Sequence, residues 1–320
     1  MSDTTDAPNP STRKNAASPL LIVDALKAMA GNLPKARASF AKGMFVAGIY
    51  TPTTDATNLT RSKNLTEENT VFGRFSVGGG NPAVPDTNGL VLRGFSFRLT
   101  TGDVTTDLLT ESAPVHFART LDQMLAFLRA RAPAADGKPD PAVVKAFSDA
   151  NPETLNQARY VAQHGLPASF GATTYWGVHA FPLINAAGQQ RAVKLKLVPI
   201  AGEEVIDAAT APSLGENFLS DDLEQRLSSG RVEFKLVAIL GRPGDDCSDV
   251  TARWLDEDTR ESVVLGLISL DRIVSADGPD GADATIFDPA NLADGIGQPV
   301  DEMFGPRSAA YKISLARRTQ

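Results

Sequence analysis

The 320-residue chain is 42% hydrophobic and 22% charged, and its 38 acidic and 31 basic residues give a formal net charge of −7. That balance describes a globular protein with room for a large core, held in one β-rich domain or two smaller ones. It gives no general affinity for phosphate backbones or anionic lipid, so no nucleic-acid partner is expected. The single cysteine, Cys247, excludes an internal disulfide, an iron–sulfur centre and a Cys-rich zinc site. Residues 1–18 are polar and rich in Ser, Thr, Asp, Asn and Pro. They read as a disordered tail without the apolar run of a leader, and no stretch is apolar for long enough to span a bilayer. A cytoplasmic protein with no membrane association is expected.

Residues 19–31 predict a short amphipathic helix closed by Gly31. A strand follows over 42–51, and a second over 71–77. In the second, alternation places Phe72, Arg74 and Ser76 on one face and Val71, Phe75 and Val77 on the other. An arginine beside a phenylalanine on a buried face calls for an anionic partner. A glycine-rich turn leads to a further strand over 90–99. The short stretch Pro114-Val-His116-Phe117 reads as extended, and Thr120-Leu-Asp-Gln123 as a capping box opening a helix. Further helices are expected over 141–149 and from Asn151-Pro152.

Strands resume over 175–181 and 191–198, joined through Asn185-Ala-Ala-Gly188. A well-capped helix covers 220–230, and strands cover 232–240 and 262–270. Residues 271–305 lose periodicity and read as a loop that wraps the body, because a regular helix follows over 306–318. The fold class is α+β: an antiparallel β-barrel core with inserted helices and a C-terminal helix, as a single domain over 19–320.

On that last helix, at about 100° per residue, Tyr311 lies about 40° round from Arg307 and Arg318 about 20° round from Tyr311. One face therefore carries a phenol between two guanidiniums. Taken alone, the pattern suits either a basic helix with an incidental tyrosine or an anionic oxygen donor, since an adjacent cation favours the ionised phenol.

Several ordered stretches together resemble the haem catalases, and most closely the shortened catalase-related peroxidases. They are Arg37-Ala-Ser-Phe40-Ala-Lys-Gly43, Arg74-Phe-Ser76, Arg93-Gly-Phe95, Pro114-Val-His116-Phe117, Gly177-Val-His179-Ala-Phe181 and Arg307…Tyr311…Arg318. The resemblance implies a catalase-like barrel holding heme b, with iron bound by Tyr311. Arg307 would hold that ligand as the phenolate, and His179 would stand behind it or simply pack in its strand. Arg37, Arg74 and Arg318 would meet the haem propionates, and Ser76 would sit on the distal side.

The departure is at position 40, where Phe40 replaces the expected distal histidine. Without that acid–base group a rate falls by roughly 10²–10⁴-fold. His116 stands where the family has an aromatic. It either reaches the distal pocket and supplies part of the missing function, or packs at the haem edge or faces solvent. Glu111 falls where the larger catalases place a distal asparagine.

The expected activity is that of a haem peroxidase, in which a peroxide and a small-molecule reductant are the partners and true catalase turnover is weak. Alternatives are a non-redox haem enzyme that rearranges or dehydrates a hydroperoxide or N–O substrate, and a non-catalytic haem or small-ligand binder. A monomer or homodimer is expected.

Overall fold

The computed structural model describes residues 16–134, 136–207, 209–276 and 284–320. Most of the expected tail, residues 1–15, lies outside the described residues. Ser18 is already part of the first helix, because its Oγ caps the Leu21 amide at 3.3 Å.

Among the described residues ten strands run in chain order: β1 (Lys42–Pro52), β2 (Asn69–Val77), β3 (Arg93–Thr101), β4 (Val104–Glu111), β5 (Leu166–Pro167), β6 (Tyr175–Ile184), β7 (Gln190–Pro199), β8 (Val205–Ile206), β9 (Val232–Leu240) and β10 (Ser262–Val274). Eight of them close into an antiparallel barrel in the order β1-β10-β9-β7-β6-β4-β3-β2, and β5 pairs with β8 apart from it. Closure leaves the barrel itself no open edge to template association. The helices are α1 (Pro19–Met29), α2 (Ala56–Leu59), α3 (Lys63–Thr66), α4 (Leu121–Ala130), α5 (Pro141–Ala150), α6 (Asn156–His164), α7 (Phe218–Ser229) and α8 (Phe304–Thr319). Helix α1 packs on α4 and α8.

Alternation sorts the strand residues as their sequence predicts. Val71, Phe75 and Val77 of β2 enter the barrel core with Phe95, Phe97, Tyr175 and Phe234. Phe75 and Phe95 stack at 4.2 Å between ring centres. The opposite face of β2 carries Phe72, Arg74 and Ser76 outward, where Phe72 stacks on Phe45 at 5.6 Å and on Phe287 at 5.9 Å.

Besides the short elements α2, α3, β5 and β8, which the sequence reading did not give, the start of β3 and the whole of β4 differ from it. The strand expected over 90–99 begins only at Arg93, whose wholly buried guanidinium binds the carbonyls of Asp86 and Asn88 and so fastens the preceding loop. Strand β4, not predicted, pairs with β3 through the turn at Gly102 and Asp103. Asp107 interrupts its apolar pattern, yet Asp107 is satisfied by a two-point pair with Arg98 at 2.6 and 2.7 Å.

Strand β10 continues to Val274, four residues into the expected loop. Residues 277–283 of that stretch lie outside the described residues. The remainder follows the barrel wall. The Asp107 amide donates to Asn291 O and the Asp288 amide to Asp107 Oδ2, while Leu183 bridges to Ile296. This path delivers Asp301 to His179 of β6, and helix α8, which follows it, packs on α1 and meets His179 through Phe304 and Arg307.

Candidate active site: a tyrosine row opposite an apolar residue

Helix α8 contributes one end of a four-residue row. Arg307 Nη2 donates to Tyr311 Oη at 3.3 Å, and Arg307 Nη1 lies 2.6 Å from His179 Nε2. His179 Nδ1 lies 2.8 Å from Asp301 Oδ2. Asp301 can only accept, so the His179 proton sits on Nδ1 and Nε2 is left to accept from Arg307. Burial lowers the His179 pKa, with the hydrogen bond to Asp301 opposing, so the ring stays neutral and keeps this direction of bonding. Both His179 and Asp301 are buried. The row turns a buried carboxylate into a fixed position for the guanidinium beside Tyr311.

The structure brings together Tyr311, Arg307 and His179, the last of which the sequence reading had left as either a member of such a network or a packed strand residue. Asp301 was missed, because a lone aspartate in an aperiodic loop gives no signal until the loop is folded.

Arg37 and Arg318 converge from different parts of the chain on one carbonyl, Thr285 O, at 3.4 and 3.1 Å. The Ala38 amide donates to Ser314 Oγ at 3.3 Å, tying the 37–41 segment to α8. Arg74 reaches the same segment from β2, donating to Phe40 O at 2.8 Å and Ala41 O at 2.9 Å. Arg37 and Arg74 both lie over the ring of Phe45. Gly43 on β1 makes the crossing possible, since a Cβ there would stand 2.8 Å from Arg74 Cζ.

These two Arg74 bonds hold Phe40 at φ +50°, in the left-handed region. For a bulky residue this costs about 1–2 kcal/mol. Two hydrogen bonds from a charged donor, each worth about 1.5–3 kcal/mol, offset it. The Phe40 ring is carried onto Gly94, where a Cβ would meet its Cε1 at 3.0 Å and Ser76 Oγ at 2.9 Å. Ser76 is buried and its hydroxyl lies 3.4 Å from Gly94 O. The Phe40 ring, from the segment before β1, and the Ser76 hydroxyl of β2 thus both border Gly94 of β3.

His116 lies elsewhere. Its Nδ1 is turned back on its own loop, 2.8 Å from Ala118 O, and its ring packs on Phe117. Burial, with the charges of Arg307 and His179 acting the same way, pulls its pKa down to about 4. Among the described residues, no hydrogen bond or ring contact joins His116 to Phe40 or Ser76.

Tyr311 with a guanidinium at its hydroxyl offers an oxygen donor of the kind that would suit ferric iron, and Arg37, Arg74 and Arg318 are a cationic set suited to two carboxylates. The residues present therefore fit a haem held by a tyrosine and three arginines. A closed eight-stranded barrel, a segment that follows its wall and a tyrosine-bearing C-terminal helix joined to β6 through His179 define an architecture of the catalase type.

The catalase family model matches residues 20–319. The chain is 32% identical over 297 residues to the catalase-related peroxidase of Synechococcus elongatus, covering 89% of this chain and 84% of the relative. It is 31% identical over 306 residues to the catalase-related peroxidase of Mycolicibacterium paratuberculosis, covering 93% of each. Its fold superimposes on a bacterial catalase structure with a TM-score of 0.78 at 21% identity, over 99% of this chain and 63% of that one. The chain belongs to the catalase family.

Proposed function

We propose that this protein is a haem-dependent peroxidase that reduces organic hydroperoxides or hydrogen peroxide at the expense of a small-molecule donor, with little true catalase turnover. The observation that supports it is the row Asp301–His179–Arg307–Tyr311, which commits a tyrosine oxygen and a permanent cation to one point. Arg37, Arg74 and Arg318 would hold the haem carboxylates, and Tyr311 would bind the iron. When bound, the haem supplies the redox equivalents that cleave an O–O bond.

Arg307 would support the Tyr311 oxygen as an iron ligand by donating a hydrogen bond to it, and Asp301 through His179 keeps Arg307 in place. The Phe40 ring would give an apolar surface to the organic part of a hydroperoxide. It cannot accept or return a proton, and this is the basis for weak disproportionation of hydrogen peroxide.

The test is to load the protein with haem and compare donor oxidation driven by cumene hydroperoxide with oxygen release from hydrogen peroxide. Donor oxidation with little oxygen release is expected, and Tyr311→Phe should abolish it while leaving the fold intact. The apolar ring of Phe40 also suits a rearrangement that needs no donor. Complete consumption of hydroperoxide without added reductant would favour that reading over a peroxidase.

A further inference from the structure

We propose that Glu111 is the proton-transferring group of this site, in place of the histidine that position 40 lacks. The assignment rests on the peroxidase reading above for its reaction, but on the barrel register for its position.

Five residues stand side by side across five neighbouring strands. Gly43 pairs with Ser76, Ser76 with Gly94, Gly94 with Glu111, and Glu111 with Trp176. Directly paired residues project to the same face, about 5 Å apart. Gly94 has no side chain, and its place in the row is filled by the Phe40 ring. Glu111 is therefore the next side chain along from the ring that replaces the imidazole, on the same outward face as Ser76. It is the one ionisable group of the five.

The surroundings of Glu111 favour a carboxyl that exchanges a proton. From α6, Gln157 Nε2 donates to its Oε1 at 2.9 Å. From α8, the charge of Arg307 acts on it, and His116 and Ser112 belong to the loop that follows it. No hydrogen bond reaches Oε2 among the described residues, so one oxygen is oriented and the other is kept for exchange. Burial raises the Glu111 pKa to about 7, against the opposing effects of Arg307 and Gln157. A carboxyl with this affinity holds and releases a proton near neutral pH with comparable ease. His116, at about 4, is deprotonated there and is too weak a base to compete.

In the reaction, Glu111 carboxylate takes the proton from the terminal oxygen of the hydroperoxide. As the O–O bond breaks, it returns that proton to the other oxygen, which leaves as an alcohol. The small-molecule donor supplies the two electrons consumed, and two further protons, from the donor and solvent, complete water from the terminal oxygen.

Cyanide binding to the haem-loaded protein tests this without turnover, because hydrogen cyanide must give up its proton as it binds. The association rate of wild-type protein should rise as pH passes through about 7. Glu111→Gln, nearly isosteric and neutral, should bind cyanide about ten-fold or more slowly at about pH 8 and lose that titration. Glu111→Asp should retain it, and His116→Ala should leave it in place. An unchanged profile in Glu111→Gln, or loss of the titration in His116→Ala, overturns the assignment. So does unimpaired hydroperoxide-driven donor oxidation in Glu111→Gln, which would leave the peroxidase itself standing. Conversely, a titration lost in Glu111→Gln in a protein that never oxidises a donor supports Glu111 and removes the peroxidase reading. If Glu111→Gln fails to fold, the infrared carbonyl band of protonated carboxyls in unloaded wild type decides. A band that disappears through about pH 7 supports the proposal, and none beyond pH 6 overturns it.

Discussion

Replacing His179 with leucine probes the row behind Tyr311 by a route independent of haem. The substitution removes the donor to Asp301 at 2.8 Å and the acceptor for Arg307 at 2.6 Å. Each hydrogen bond to a charged group contributes about 1.5–3 kcal/mol, and Asp301 is left as a buried carboxylate with its partner gone. Breaking a buried pair in this way costs about 3–5 kcal/mol. With an unfolding entropy of about 2.1 cal/mol/K per residue over roughly 300 ordered residues, 4 kcal/mol lowers Tm by about 6 °C. Differential scanning calorimetry of unloaded protein measures it. The double variant His179→Leu/Asp301→Leu should regain part of the loss, because removing both partners leaves less buried charge unpaired. A Tm unchanged to within about 1 °C in the single variant, or a double variant with the full sum of two losses, would refute the energetic account of the row.

Phe40→His should raise oxygen release from hydrogen peroxide by about 10²–10⁴-fold in the haem-loaded protein, measured with an oxygen electrode, since it adds an imidazole acid–base group beside Ser76. Lys194 and Glu257 form a buried pair at 2.9 Å, which Trp254 N and Arg253 also join through Glu257. Lys194→Met should therefore lower stability in urea by about 3 kcal/mol, near the lower end for broken buried pairs. His116 titrates at about 4 in the folded protein against an ordinary value of 6.5, so the unfolded chain binds more protons between those limits. Its contribution is complete above about pH 6.5 and is lost as pH falls through about 4, up to about 3 kcal/mol. His116→Phe should reduce this acid destabilisation, as read from Tm at about pH 7 and pH 4.

The barrel strands were legible where side chains alternate cleanly, as along β2 and β7, because period-2 burial is written into single residues. Strand β4 was hidden because its inward and outward residues include Asp107, Thr106 and Thr110, polar groups that are buried yet hydrogen-bonded in the folded chain. Missing β4 also concealed the pairing of Glu111 with Gly94, which only the register reveals. The face of α8 bearing Arg307, Tyr311 and Arg318 could be read from helical spacing alone. That Arg37 and Arg318 share Thr285 O could not, since 248 and 33 residues separate them from it along the chain. Short periodic patterns report local geometry, and convergence across a closed barrel is set by topology.

The chemistry of position 40 is separable from its geometry. Arg74 holds the segment through the carbonyls of Phe40 and Ala41, which any residue offers, and Gly94 keeps space for whichever ring projects there. An imidazole at this position would inherit the same left-handed backbone and the same seat beside Ser76. The 37–41 segment can thus exchange a proton-carrying ring for an apolar one without disturbing Arg37, Arg74 or the contact of Ala38 with Ser314 on α8. What changes is which neighbour must move the proton, and the residue already standing one strand away is Glu111.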